Sequence, residues 1–125
     1  MNQAEHIRRF LLNFFQKISG KEKSEALLRT FIDDPALVET FVAMEFLLPR
    51  FELQIDEMTI ESSRATLQGS IRGRAGSLAP PKTFDIPFAL GCRLVQGKIV
   101  DHWLIADQLG FVGAILFRWS VFQPG

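Results

Sequence analysis

Apolar positions change their spacing near residue 50, and the change divides the chain into a helical half and a stranded half. Ile7, Phe10, Leu11, Phe14 and Ile18 recur at intervals of three and four residues, the repeat of a helix with one apolar face. The spacing predicts a helix from about Ala4 to Ile18, with Leu12 and Phe15 widening the face and Gly20 ending it. Ser24 is a capping residue for a short second helix over residues 25–31. Asp34-Pro35 starts a third, because aspartate accepts orphan amide hydrogens and proline suits the first turn. Leu37, Phe41, Met44 and Leu48 form its stripe, and Pro49 stops it.

From Arg50 onward the repeat is two. Phe51, Leu53 and Ile55 alternate with Glu52, Gln54 and Asp56; the phase then slips by one, and Met58 and Ile60 resume. Such a slip marks a β-bulge. Ser62-Ser63 turns the chain into a second strand with Ala65, Leu67 and Ile71 on one face. Residues 73–81, rich in Gly and Pro, read as a loop. Phe84, Ile86, Phe88, Leu90, Cys92 and Leu94 share one face of a long third strand, and Gln96-Gly97 makes a hairpin into the last, residues 98–107. Uninterrupted alternation there puts Ile99, Asp101, Trp103, Ile105 and Asp107 on one face. Val100, His102, Leu104 and Ala106 fall on the other. An apolar tail from Phe111 to Phe122 follows.

Helices followed by a four-strand meander predict one α+β domain over residues 1–125, its N-terminal helices packed on one face of a curved antiparallel sheet. The curl leaves a hollow between the layers, an internal pocket for a small apolar or aromatic molecule. With 125 residues, 47% of them hydrophobic and twelve of them Phe, the chain has material for one core. Fourteen basic and fourteen acidic residues cancel, which argues against a nucleic-acid partner. One cysteine and two histidines disfavour a disulfide or a metal site. The first residues carry no apolar signal core, and the longest apolar run is too short for a bilayer, so the expectation is a cytoplasmic protein with no membrane association.

The stretch Gly97-Lys98-Ile99-Val100-Asp101-His102-Trp103-Leu104-Ile105-Ala106-Asp107-Gln108-Leu109-Gly110 resembles the closing signature of SnoaL-like proteins. These are the polyketide cyclases and ester cyclases of the nuclear-transport-factor-2-like superfamily. Asp34-Pro35-Ala36-Leu37, Leu48-Pro49-Arg50-Phe51 and Phe84-Asp85-Ile86-Pro87-Phe88 resemble further landmarks in the same order. The resemblance implies a cone-shaped fold, no cofactor, and Asp107 as the acid/base of an aldol ring closure on a polyketide-like carbonyl compound. A carboxyl facing an apolar hollow would have its pKa raised toward neutrality. The sequence also departs from the pattern: Arg72-Gly73-Arg74-Ala75-Gly76 lacks the usual His, and Gly113-Ala114-Ile115-Leu116-Phe117 replaces the usual ending. There is no Tyr, which disfavours the tyrosine-dependent chemistries of steroid isomerases and scytalone-type dehydratases.

Each candidate has a plainer reading. Asp107 is either the acid/base or a cap for the turn after the strand. Trp103, Phe14, Phe41, Phe88 and Ile105 are core or pocket wall. Phe111 and the tail either close the pocket mouth or, with the outer sheet face, form a homodimer interface. His102, opposite Asp107 under regular alternation, is expected at the surface; Arg72 in a solvated cross-strand pair; Glu45 exposed or reaching the hollow; and Cys92 as a small buried hydrophobe. The alternative to an enzyme is a non-catalytic ligand-binding or dimerisation module on the same fold.

Overall fold

A computed structural model describes residues 2–75 and 82–106. Three helices lead: α1 (Gln3–Ile18), α2 (Glu25–Arg29) and α3 (Pro35–Leu47). Each begins at the side chain that local chemistry selects. Asn2, Ser24 and Asp34 accept the backbone N–H of Glu5, Leu27 and Leu37 respectively, filling donors that a first turn leaves open. The second helix is two residues shorter than its pattern suggests. α1 buries Ile7, Leu11, Phe14, Phe15 and Ile18, whereas Leu12, expected to widen that face, is 47% exposed.

Four strands follow: β1 (Glu52–Glu61), β2 (Arg64–Ala75), β3 (Lys82–Val95) and β4 (Lys98–Ala106). They form one antiparallel sheet in the order β1-β2-β3-β4. β2 continues through Gly73 to Ala75 because β3 pairs with it as far as Lys82, so the loop expected from residue 73 is shorter. The Gln96-Gly97 turn has φ of 49° and 75°, the left-handed pair that a tight hairpin requires. The slip expected in β1 is present: Ile55 faces Gly69 and Glu57 faces Gln68, leaving Asp56 unmatched. Gly69 is needed opposite it, since any side chain there would overlap the Gln54 carbonyl oxygen.

The sheet's inner face and the helices share one core. Phe14 packs its ring against Phe15, Phe31 and Phe41 at 4.9, 5.0 and 6.1 Å, and Phe41 stacks on Phe51 at 6.3 Å. Lys23 enters this core with no exposed side-chain surface. Its Nζ donates to the carbonyls of Lys21 (2.7 Å) and Phe51 (2.8 Å), sits 3.5 Å from Glu45 Oε1, and lies 3.8 Å above the Phe51 ring. The ammonium therefore ties the α1–α2 connection to the start of β1.

Burial holds the Lys23 pKa below its ordinary value of 10.5, with Glu45 opposing the shift. In the window just below 10.5 the unfolded chain thus binds more protons than the folded one, so stability rises with pH through that window. Lys23→Met is expected to remove this alkaline rise. At neutral pH it should also cost about 1–3 kcal/mol, because the Lys21 carbonyl loses its Lys23 donor, the Phe51 carbonyl keeps only the Gly20 N–H, and Glu45 loses its cation. Urea unfolding of both proteins from pH 7 to 10.5 checks slope and offset together.

Candidate functional site

The faces of β4 are set by a second slip. Leu94 pairs with Ile99 and Arg93 with Asp101, so Val100 has no partner on β3. Ile99 is held from the other side. Its N–H donates to the Phe31 carbonyl at 3.0 Å, and its carbonyl accepts from the Asp33 N–H at 2.7 Å. The segment after α2 thus lies along the free edge of β4, through a parallel bridge between Ile32 and Ile99. Ile99 stays fully buried, and beyond Val100 the alternation is inverted. Leu104 is buried, whereas Asp101 and Trp103 face outward.

This corrects the expectation of regular alternation. His102 is an inner-face residue, paired in register with buried Cys92. Its Nδ1 lies 2.6 Å from Asp34 Oδ2, and the two side chains are only 5% and 12% exposed. Asp34 serves two groups, because its Oδ1 also accepts the Leu37 N–H at 3.3 Å to cap α3. The His102 backbone N–H donates to Asp101 Oδ1 at 2.9 Å. Burial pushes the Cys92 thiol up to about 12, which leaves it a small inert hydrophobe, as its place in the alternation suggests.

The outer face is polar. Glu61, Arg64, Arg93 and Asp101 form one row across all four strands, with Arg93 Nε 3.9 Å from Asp101. In the next row the Trp103 indole lies over Gly91, where any side chain would collide with it, and the indole is 48% exposed. An open groove of about 640 Å³ crosses these rows, and a second of about 670 Å³ runs along α3 beside Val42 and Phe46. Neither is lined by Phe14, Phe41 or Phe88.

Of the anticipated pocket residues, Phe14, Phe41 and Phe88 are buried together on the helix-facing side. Trp103 is on the opposite face and does not join them. Ile105 pairs with Ala89 along the backbone. Asp107, Phe111 and the apolar tail lie outside the described residues. Arg72 bonds Asp85 at 3.2 Å, each more than half exposed, matching the solvated cross-strand reading. Glu45 turns to Lys23 and to the Arg50 N–H at 2.9 Å, and so is engaged at the end of α3. Among the described residues, no cluster of three His, Cys, Asp or Glu side chains could hold a metal ion, and no helix is long and apolar enough to cross a membrane.

No protein-family model and no curated protein sequence matches the chain. Solved structures do. A candidate polyketide cyclase from Acidithiobacillus ferrooxidans aligns with a TM-score of 0.71 at 14% identity, covering 96% of this chain and 99% of that one. A candidate SnoaL-like polyketide cyclase from Jannaschia sp. aligns at 0.63 and 17% identity, covering 93% and 92%. AclR, a candidate hydroxylase from Streptomyces galilaeus, aligns at 0.68 and 16% identity, covering 99% and 86%. The chain therefore has the SnoaL-like, nuclear-transport-factor-2-like fold. That fold does not by itself select a reaction, as the candidate hydroxylase among its bearers illustrates.

With its pKa near 12, about one Cys92 thiol in ten thousand is ionised at pH 8, and the thiolate is the reactive form. Iodoacetamide at pH 8 should alkylate Cys92 at least ~100-fold more slowly in the folded protein than in urea. Mass spectrometry of timed quenches follows the reaction.

Proposed function

We propose that this chain binds a small apolar or aromatic, carbonyl-bearing molecule of polyketide type between the helices and the inner face of the sheet. Asp107 then acts on it as the acid/base of an aldol cyclisation or isomerisation. The observation that carries this reading is the fold shared with candidate polyketide cyclases over more than nine-tenths of the chain. It is supported by the sequence signature that contains Asp107, and by the apolar core in which Phe14 and Phe41 of the helices and Phe88 of the sheet are buried.

The chemistry needs only this chain's own groups. The Asp107 carboxylate removes a proton from the carbon between two carbonyls, and the resulting enolate attacks a third carbonyl of the same molecule. A carbon–carbon bond forms, and the carboxyl returns its proton to the new alkoxide. A delocalised ligand stabilises its own enolate, so positioning and one acid/base group suffice. This reading includes a cytoplasmic homodimer formed through the outer sheet face, where the half-exposed Trp103 sits. Light scattering is expected to give twice the monomer mass.

A second reading is a non-catalytic ligand-binding or dimerisation module on the same fold, and one observation favours it. The rings of Phe14, Phe41 and Phe51 pack on one another, which fills space that a large ligand would need. Asp107→Asn separates the two. With an aromatic polyketide ester as probe, the enzyme reading expects kcat to fall by about 100-fold or more while the dissociation constant changes by less than about threefold. Unchanged turnover in the variant removes Asp107 from the mechanism, and wild-type binding without turnover favours the module.

A further inference from the structure

The inner face of the sheet carries very little ionisable chemistry. Read along the registers, its described positions are Leu53, Ile55, Met58 and Ile60 on β1, and Ala65, Leu67, Gly69, Ile71, Gly73 and Ala75 on β2. From Phe84 on β3 to Leu104 on β4 the face continues with aliphatic and aromatic residues, apart from Cys92 and His102. The Cys92 thiol is held protonated by burial. Between Phe84 and Leu104, His102 is thus the one side chain of that face with a ring nitrogen that can accept or donate a proton. It shares the face with Phe88 and Leu104, opposite the helices that supply Phe14 and Phe41.

Its surroundings are those of an oriented imidazole. With Asp34 as a carboxylate, which only accepts, the hydrogen in the 2.6 Å contact is donated by Nδ1. Nε2 is then left as the basic nitrogen. The bond to Asp34 is the only side-chain hydrogen bond of His102 among the described residues, yet no buried side-chain nitrogen or oxygen there lacks a partner. Nε2 therefore keeps some accessible surface, although the side chain is only 5% exposed and His102 also borders the open groove that crosses the outer rows. An imidazole backed by a carboxylate at one nitrogen and open at the other can accept a proton and be stabilised while it carries it.

We propose that His102 is a second proton-carrying group of the site, positioned by Asp34, and that it fits the site for a 1,3-dicarbonyl ligand in its enol form. This rests on the reading of the chain as a protein acting on carbonyl compounds. Asp107 takes the C–H proton of a ligand bound in its keto form, whereas Nε2 takes the O–H proton of a ligand bound already as its enol, leaving an imidazolium paired with Asp34 and an enolate delocalised over the two carbonyl oxygens. On this route the imidazolium, in place of the Asp107 carboxyl, returns the proton to the alkoxide once the enolate carbon has formed its new bond. No oxidant, metal or other reactant is needed. Asp34 acts through His102 and is a positioning residue.

Two variants separate this role from mere clasping of β4 to α3. Asp34→Asn keeps a side-chain oxygen for the Leu37 N–H, since asparagine caps as well as aspartate, but removes the carboxylate from Nδ1. His102→Gln removes the base. Benzoylacetone is the probe, its enol and enolate being distinguished by ultraviolet absorption and its affinity read by calorimetry. Wild type should raise the bound enolate fraction at least tenfold over free ligand at the same pH. Both variants should lose that gain while binding within about threefold of wild type. A gain that survives in His102→Gln overturns the proposal and leaves the role of Asp107 standing. Failure of wild type to bind the diketone overturns the ligand reading and this role together. Diethyl pyrocarbonate at pH 7, with mass spectrometry, checks access independently of any ligand. His102 should be carbethoxylated in the folded protein, and modification of His6 alone would also overturn the proposal.

Discussion

A single unmatched residue, Val100, decides which side chains of the last strand can meet the helices. A strand has a period of two, so one extra residue exchanges its faces from that point on. The slip follows from how Ile99 is held. Its N–H and carbonyl are both taken by the segment after α2, at Phe31 and Asp33, which keeps its side chain in the core. Arg93 must then meet Asp101 rather than Val100. His102 turns toward Asp34, and Trp103 is put outside, over Gly91. Without the slip the imidazole would be on the polar face, and a ring as large as tryptophan would have to find room against the helices.

The same edge contact explains how two residues 68 positions apart come within 2.6 Å. The Ile32–Ile99 bridge delivers the chain to Asp33, and α3 begins at the next cap. Asp34 therefore starts α3 beside β4, one oxygen on its own helix and the other on His102. At Ile99 the edge of β4 is covered in the same stroke, which takes its N–H and carbonyl out of reach of strand pairing. Capping, edge protection and orientation of the imidazole are consequences of one short segment.

The helices and the β1 slip were legible because each leaves a compositional mark. Asp34-Pro35 can hardly be read except as a helix start, and Asp56-Glu57 puts two acids in succession where an apolar residue was due. The β4 slip leaves no such mark: Ile99 and Val100 are both apolar, so counting through them gives a continuous alternation with the wrong phase. That is why His102 was expected outside and Trp103 inside. The pairing of Asp34 with His102 was hidden for a related reason. Asp34 is fully explained as a cap by its neighbours, and nothing local indicates that its second oxygen has a distant partner. Phe14, Phe41 and Phe88 were found on the helix-facing side because burial follows periodicity in elements that run without a slip.

The most direct test of this account is the tautomer of His102, read from its ring nitrogen shifts in a two-dimensional proton–nitrogen NMR spectrum of the full chain with the ring neutral. The structure predicts hydrogen on Nδ1 and a bare Nε2, with Asp34→Asn abolishing that preference. Hydrogen on Nε2 in the wild type would mean that Asp34 does not hold the ring. The face assignment of β4, and the role given to His102, would then be wrong.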